Sequence, residues 1–290
     1  MIALAALALA AQSGATPLLD YARTLSFDTA PRESEYRLEL VRAEQELAAH
    51  PPPADCAHTL GASRFAGLLQ KVAYQRAWLA DHAGAADAYR RALACLPRAR
   101  YLYGELAEEL MNAGHYREAR TAAARGLTLA PEDFALGSVM ARLDFIDERW
   151  SDAINWLRAA AAAAPDAERK AYMQCLLWLA EQRSGVAHPP VMAPTGGDDW
   201  PGPILSVLEG TSSEADLLGA VKAQTGDLKV RETLVEALFY VGEQRLAQGD
   251  ATTARRYFAA AVNLKVIYYI EHDLALAELA KLRAARTPSP

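Results

Sequence analysis

Cysteine is scarce in this sequence. The 290 residues include three cysteines, Cys56, Cys95 and Cys175, and no two of them have CxxC spacing. The small, odd number argues against a disulfide framework, and the spacing argues against a zinc site. A single disulfide stays open if the protein is exported, but the sequence does not say which cysteines would pair. The alternative is that all three are small buried side chains of helices, the commoner fate of free cysteine.

Basic charge is also in short supply. The formal net charge is −6, and acidic residues alternate with arginines, as in the segment from Glu33 to Arg37. This interleaving is typical of a solvated helix face. The sequence has no basic stripe of the kind that binds nucleic acid or an anionic membrane surface. We therefore predict protein or peptide partners and no nucleic acid.

Motifs that carry chemistry are missing. The sequence contains no G-x-S-x-G, P-loop or dinucleotide-binding fingerprint, and no two of its six histidines have the i, i+4 spacing of a helical zinc site. We therefore expect no enzyme activity, no catalytic residue, no cofactor and no metal. One alternative stays open, in which Asp198 and Asp199 in an acidic glycine turn serve a glycan- or peptide-active accessory enzyme.

Long apolar runs are missing as well, since a membrane-spanning helix needs about 20 residues. The longest apolar run is the N-terminal MIALAALALA, which suits the core of a signal peptide covering residues 1–10. Ala8-Leu9-Ala10 provides a small-x-small cleavage site, although no Lys or Arg precedes the run. We predict a periplasmic or secreted protein. The alternative is a cytoplasmic protein in which this run is a buried cap helix.

What the sequence does contain is an internal repeat. Pro97, Pro131 and Pro165 lie 34 residues apart. Small residues recur in the same phase, namely Ala85, Ala119 and Ala153, and then Ala92, Gly126 and Ala160. A 34-residue period of this kind resembles the tetratricopeptide (TPR) repeat, a helix–turn–helix unit. The resemblance implies an all-α fold, a TPR-type α-solenoid forming a right-handed superhelix of helix hairpins with helical caps at both ends.

The repeat fixes a register. With the proline at position 32, three units cover residues 66–99, 100–133 and 134–167. Positions 20 and 27 are small where the two helices of a unit would cross, because only a small side chain permits close approach there. Position 24 holds Tyr89, Ala123 and Leu157. A fourth unit, residues 235–268, keeps the pattern but has Val266 at position 32, as expected of a terminal unit.

The predicted organisation follows from these units. Six segments are expected: residues 1–10 as signal peptide, 11–64 as N-terminal helical cap, 65–184 as three TPR units plus one extra helix, 185–203 as a Pro/Gly-rich loop, 204–286 as short helices with the fourth unit and a capping helix, and 287–290 as a tail.

The TPR resemblance also implies a binding surface, because the first helix of each unit lines the concave groove of such proteins. The register places ten candidate residues there: Gln70, Tyr74, Trp78, Tyr101, Glu108, Asn112, Arg142, Phe145, Glu236 and Glu243. This mixture of aromatic and charged groups suits an extended peptide or a partner helix. Two alternatives stay open: aromatic residues such as Phe145 pack between repeats, and Arg142 pairs internally with Glu108.

A closer resemblance covers the C-terminal third. The matching residues are Trp200-Pro201-x-Pro203, the run from Phe239 to Glu243, Gly249-Asp250, Phe258-x-x-Ala261-Val262, Glu271 and Glu278-Leu279. Residues 200–282 are thereby similar to the NlpI-like periplasmic TPR lipoproteins. The resemblance implies a dimeric adaptor without catalytic residues that brings a periplasmic protease to cell-wall hydrolases. A lipoprotein has a cysteine directly after its leader, and the first one here is Cys56.

The sequence thus predicts an exported, non-enzymatic TPR scaffold that binds envelope proteins, with a cytoplasmic TPR adaptor as the alternative. Apolar segments at residues 38–47 and 267–270 lie at the ends of the expected solenoid. Solenoid ends must be covered by polar residues or by a partner. We therefore also predict a two-fold homodimer.

Overall fold

The computed structural model describes residues 16–25, 30–52, 60–185, 199–267 and 269–285. All regular secondary structure in these ranges is helical, which confirms the predicted all-α class. The helices are α1 (Pro17–Thr24), α2 (Ala30–Ala48), α3 (Leu60–Trp78), α4 (His82–Cys95), α5 (Arg100–Asn112), α6 (Tyr116–Leu129), α7 (Phe134–Ile146), α8 (Trp150–Ala163), α9 (Ala167–Ser184), α10 (Gly202–Leu208), α11 (Glu214–Lys222), α12 (Asp227–Ala247), α13 (Ala251–Asn263) and α14 (Ile270–Ala284). The proposed signal peptide, most of the predicted loop, the tail, Cys56 and Asp198 lie outside these residues.

The contacts divide the chain into two compact units. Helices α2 to α8 form the first, which we call the repeat unit, and α1 together with α9 to α14 forms the second, which we call the terminal unit. The segment predicted as an N-terminal cap therefore supplies one helix to each unit. The boundaries of the six predicted segments remain predictions, because the contacts divide the chain into two units and not into those segments.

The repeat unit contains three helical hairpins, α3–α4, α5–α6 and α7–α8. The second helix of each hairpin ends at Cys95, Leu129 or Ala163, two residues before the repeated proline. This spacing agrees with the register, because proline lacks the N–H that would continue the helix. All six small residues at positions 20 and 27 are buried, as the predicted helix crossings require.

The first helix of every hairpin ends in the same way. Position 15 has a left-handed backbone in all four units, with φ of 59° at Ala80, 77° at Gly114, 57° at Glu148 and 84° at Gly249. The next backbone N–H donates to the carbonyl five residues back, over 2.8 to 2.9 Å. This is the Schellman arrangement, which satisfies carbonyls that the end of a helix leaves unpaired. The repeat therefore extends to backbone geometry, although two of the four positions are not glycine.

The terminal unit contains the fourth hairpin, α12–α13. Ala254, Phe258 and Ala261 occupy its positions 20, 24 and 27 and are fully buried. Helix α13 ends at Asn263, and α14 begins at Ile270. Ser213 and Asp216 form a capping box that starts α11.

Helix α1 packs into the terminal unit against α11, α12 and α13. Leu18 and Leu19 are buried, and the backbone N–H of Leu18 donates to Glu214 Oε1 over 3.1 Å. The hydroxyl of Tyr257 donates to the same oxygen over 2.6 Å. The sequence did not predict this docking, because it joins residues that lie almost 200 positions apart.

The described cysteines have different states. Cys95 is disulfide-bonded, whereas Cys175 is free and fully buried. Burial raises the pKa of the Cys175 thiol, and the nearby carboxylates raise it further. Cys175 therefore has the expected fate of a small buried side chain.

Candidate partner-binding surface

Helices α2 and α3 together carry a partly exposed aromatic surface, which we define as Tyr36, Tyr74 and Trp78. The Tyr36 ring of α2 stacks on Trp78 with centroids 5.0 Å apart, and Tyr74 meets Trp78 edge to face at 5.8 Å. Tyr74 stays 54% exposed. Gln70, one turn earlier, is half-buried. Stacking thus holds the Tyr36 and Trp78 rings in place, while Tyr74 leaves one side of the cluster open to solvent.

Helix α5 carries a second exposed tyrosine beside carboxylates. Tyr101 is 51% exposed. Glu105, Glu108 and Asn112 follow it at intervals of four, three and four residues, so they lie on the same stripe of the helix. The amide oxygen of Asn112 is buried and accepts no hydrogen bond among the described residues. We call these four residues the α5 stripe.

The α5 stripe carries more negative than positive charge. Burial alone would raise the pKa of Glu108, but the Arg142 guanidinium donates to both carboxylate oxygens, over 3.0 and 2.9 Å, and holds this pKa below its ordinary value. Burial, together with the charge of Glu108, raises the pKa of Glu105. Glu105 accepts a hydrogen bond from the neutral hydroxyl of Tyr89 over 3.2 Å. The carboxylate of Glu105 therefore has a neutral partner where Glu108 has a cation.

The groove positions of α7 are buried. Arg142 is 1% exposed, and its bidentate contact with Glu108 is the internal pair that the sequence left open. Phe145 is 2% exposed and packs edge to face on Trp150, with centroids 5.3 Å apart. This burial removes Arg142 and Phe145 from the set that we propose to contact a partner. An exposed salt bridge is worth about 1 kcal/mol or less, but losing one member of a buried pair costs about 3–5 kcal/mol.

The groove positions of the terminal unit are buried too. Glu236 is 1% exposed and Glu243 is 0% exposed. Both lie on α12, which packs against α1, α9, α10, α11, α13 and α14. The face that an open TPR unit would offer to a partner is therefore filled by the chain itself, and we leave both residues out of the proposed surface.

These two carboxyl groups are instead centres of buried polar clusters. Glu236 Oε2 accepts hydrogen bonds from Tyr172 Oη over 2.8 Å and from Trp200 Nε1. Burial and the neighbouring charge of Glu271 raise the pKa of Glu236 well above its ordinary value. Glu243 accepts from Arg183 Nη1 over 2.8 Å.

Burial and the charge of Glu278 raise the pKa of Glu243 to about 8. The repeat register missed both clusters because it treats every first helix as having an open face. A sequence signal was present, since residues 234–241 of α12 are apolar on nearly all sides, which is typical of a helix that is covered all round.

The described residues contain no group of three or more His, Cys, Asp or Glu side chains that could hold a metal ion. Asp199 is exposed at the start of the described segment 199–267, and Asp198 lies outside it. Within the same described ranges, no helix has both the length and the apolar character needed to cross a membrane.

No family model matches this chain. A crystal structure of the MamA protein is similar to it with a TM-score of 0.38 and 16% sequence identity, covering 69% of this chain and 91% of that one. We draw no function from a similarity of this size. The geometry of the chain itself defines the class: an all-helical protein of TPR-type helical-hairpin repeats.

Proposed function

We propose that this protein is a non-enzymatic scaffold that binds an extended segment of a partner protein across the groove-facing sides of α3 and α5. The observation that carries this proposal is the exposure of Tyr74 and Tyr101, each more than half open to solvent, at groove positions of successive units. Tyrosine and tryptophan supply much of the binding energy in protein interfaces. Gln70, Trp78, Glu108 and Asn112 complete the proposed surface.

The chemistry of the α5 stripe points to a basic partner segment. A Lys or Arg of the partner would meet Glu105, which lacks a cationic partner at hydrogen-bond distance in the described contacts, one turn from the exposed ring of Tyr101. Aromatic faces attract such cations, and a charge-assisted hydrogen bond to a carboxylate is stronger than a neutral one.

One observation supports the finer proposal that this scaffold works in the periplasm or is secreted. Cys95 is disulfide-bonded, and disulfides persist mainly in oxidising compartments. The NlpI-like role of linking a protease or cell-wall hydrolase to its partners rests on the sequence resemblance alone. A mature N-terminus at Ala11 would support export, and an uncleaved chain would favour the cytoplasmic adaptor.

The binding proposal is tested by selecting random twelve-residue peptides displayed on phage against the full chain. We expect the selected peptides to be rich in Lys or Arg beside apolar residues. Their binding to purified variants is then measured by fluorescence anisotropy. Tyr74→Ala and Tyr101→Ala are each expected to weaken binding by about 1–2 kcal/mol, roughly five- to thirtyfold in Kd. Glu105→Gln is expected to lower the preference for basic over neutral peptides.

Leu129→Ala provides the matched control, because Leu129 is also an exposed large apolar residue of the repeat unit but lies on a second helix, α6. It should leave the Kd unchanged. The proposal fails if the tyrosine variants remain folded and bind the selected peptides as tightly as the natural protein does. It also fails if peptides are selected without regard to charge and Glu105→Gln changes nothing.

A further inference from the structure

The outer face of α2 carries an apolar strip. Ala43, at the middle of the opposite face, is buried against the rest of the repeat unit. Leu38 and Val41 are 52% and 49% exposed, although large aliphatic side chains are usually buried. The same strip continues at intervals of three and four through exposed Ala48, which is apolar, and through Ser34 and Gln45, which are polar and uncharged. Spacing of this kind is the pattern by which one helix packs along another.

Charged residues flank this strip, and each flank contains one acid and one base. On one edge lie Glu35 and Arg42, seven residues apart, and on the other lie Arg37 and Glu44, also seven apart. When two helices pack antiparallel about a two-fold axis, each edge meets the same edge of the second copy. An axis between Leu38 and Val41 then brings Glu35 to Arg42 on one edge and Arg37 to Glu44 on the other.

The opposite orientation is unfavourable. In a parallel pair, residues of one edge meet residues of the other edge about five positions further along. That alignment places Arg37 of one copy beside Arg42 of the other, two like charges. The charge pattern thus selects antiparallel packing and makes the face complementary to itself.

The ion pairs that these residues form within one chain do not prevent them from pairing with the second copy. Arg37 pairs with Glu33 over 2.5 Å and Arg42 with Glu39 over 2.5 Å, both within α2 and both substantially exposed. Exposed pairs of this kind contribute little to stability. Glu44 also pairs with Arg76 over 2.8 Å, and a carboxylate has room for a second donor.

We propose that two copies of this chain associate through the outer faces of α2, packed antiparallel with Leu38 of each copy against Val41 of the other. The interaction is independent of peptide binding at α3 and α5. Because only two large apolar side chains per copy take part, the dimer is weak and reversible, like other small interfaces.

The test is sedimentation velocity of the full chain over a range of concentrations up to about 200 µM, around the micromolar affinities of small transient interfaces. We expect a concentration-dependent shift from monomer to dimer. Leu38→Gln with Val41→Gln should abolish the shift, whereas Leu129→Gln, which also changes an exposed apolar residue of the repeat unit, should preserve it. A protein that is monomeric throughout, or a dimer that survives the change at positions 38 and 41, would overturn the proposal.

Charge reversal tests the orientation. Arg42→Glu and Glu35→Arg should each raise the dissociation constant about tenfold or more, because each places like charges at both symmetry-related contacts of that edge. The double variant Glu35→Arg/Arg42→Glu should return it to within about twofold of the original, since the pair is restored with reversed sign. Glu39→Gln, which removes only the internal partner of Arg42, should have no effect.

Circular dichroism and the melting temperature establish that each variant is folded. Failure of the double variant to restore association would overturn the antiparallel arrangement. Peptide binding measured on Arg42→Glu separates this inference from the proposed function, because a monomeric variant that still binds the selected peptides leaves the scaffold proposal intact.

Discussion

The left-handed residue that ends the first helix of each hairpin allows a sharp test of the repeat register. Two of these four positions are glycine, and Ala80 holds the same conformation with a φ of 59°. We predict that Ala80→Gly stabilises the protein and that Gly114→Ala destabilises it. The two changes are the same exchange made in opposite directions at equivalent positions of neighbouring repeats.

The size of the effect follows from two opposing terms. A left-handed backbone costs an L-residue with a Cβ about 1–2 kcal/mol. Glycine at this position avoids that cost, but it also raises the conformational entropy of the unfolded chain, which offsets about 0.4–1 kcal/mol of the gain. We therefore expect Ala80→Gly to raise the free energy of unfolding by about 0.5–1 kcal/mol. A Cβ added at Gly114 would meet no atom within 4 Å, so the loss in Gly114→Ala comes from the backbone alone.

The assay is urea unfolding followed by circular dichroism, with a separate transition fitted for each unit where two are seen. Ala113→Gly is the matched control, because Ala113 precedes Gly114 and has an ordinary φ of −74°. Glycine there should destabilise, in contrast to glycine at position 80. If Ala80→Gly lowers the free energy of unfolding as Ala113→Gly does, the common geometry of the repeats is refuted.

Two further changes test packing and charge. Gly126→Ala should destabilise by about 1–2 kcal/mol in the same assay, because its Cβ would lie 2.6 Å from Leu136 Cδ2. Gly104→Ala is the control and should be neutral or stabilising, because the nearest atom to its Cβ would be 3.8 Å away. Equal effects of the two changes would contradict a close helix crossing at Gly126. Because the folded pKa of Glu243 is raised to about 8, its contribution to stability is fully present below about pH 4.5 and is lost as the pH rises to 8. Glu243→Gln should therefore flatten the pH dependence of unfolding between pH 5 and 8, where exposed Glu168→Gln should not; an unchanged slope would show that Glu243 is ionised in the fold.

The sequence predicted the hairpins well because their determinants are local. The proline at position 32 stops a helix wherever it occurs, and a small residue at position 20 is needed wherever two helices cross closely. The second helices of the three hairpins end at Cys95, Leu129 and Ala163, each two residues before that proline. Such elements depend on neighbours within a few turns, so a pattern read along the chain is enough.

The candidate surface could be predicted only in part, because exposure depends on contacts between distant segments. Tyr74 and Tyr101 are exposed to solvent, as residues of a binding groove must be. Glu243 occupies the same position of its repeat as Tyr74 but is fully buried. The difference lies in what covers each helix: α12 packs against elements from both ends of the chain, including α1. No repeat pattern contains that information, since α1 and α10 do not belong to any repeat.

Glu105 and Glu243 show why the difference between an exposed and a covered helix face bears on function. Glu105 lies on an open stripe with a neutral hydroxyl as its partner, so a cation brought by another molecule would be attracted to it. Glu243 lies among Arg183, Glu278 and Lys281 and is 0% exposed, so it presents no surface to another molecule. The repeat register assigned Glu243 to the groove and did not include Glu105. We propose instead that the repeat unit binds the partner, whereas Glu243 contributes to the cohesion of the terminal unit. The binding of the Glu105→Gln protein compared with the stability of the Glu243→Gln protein separates these roles.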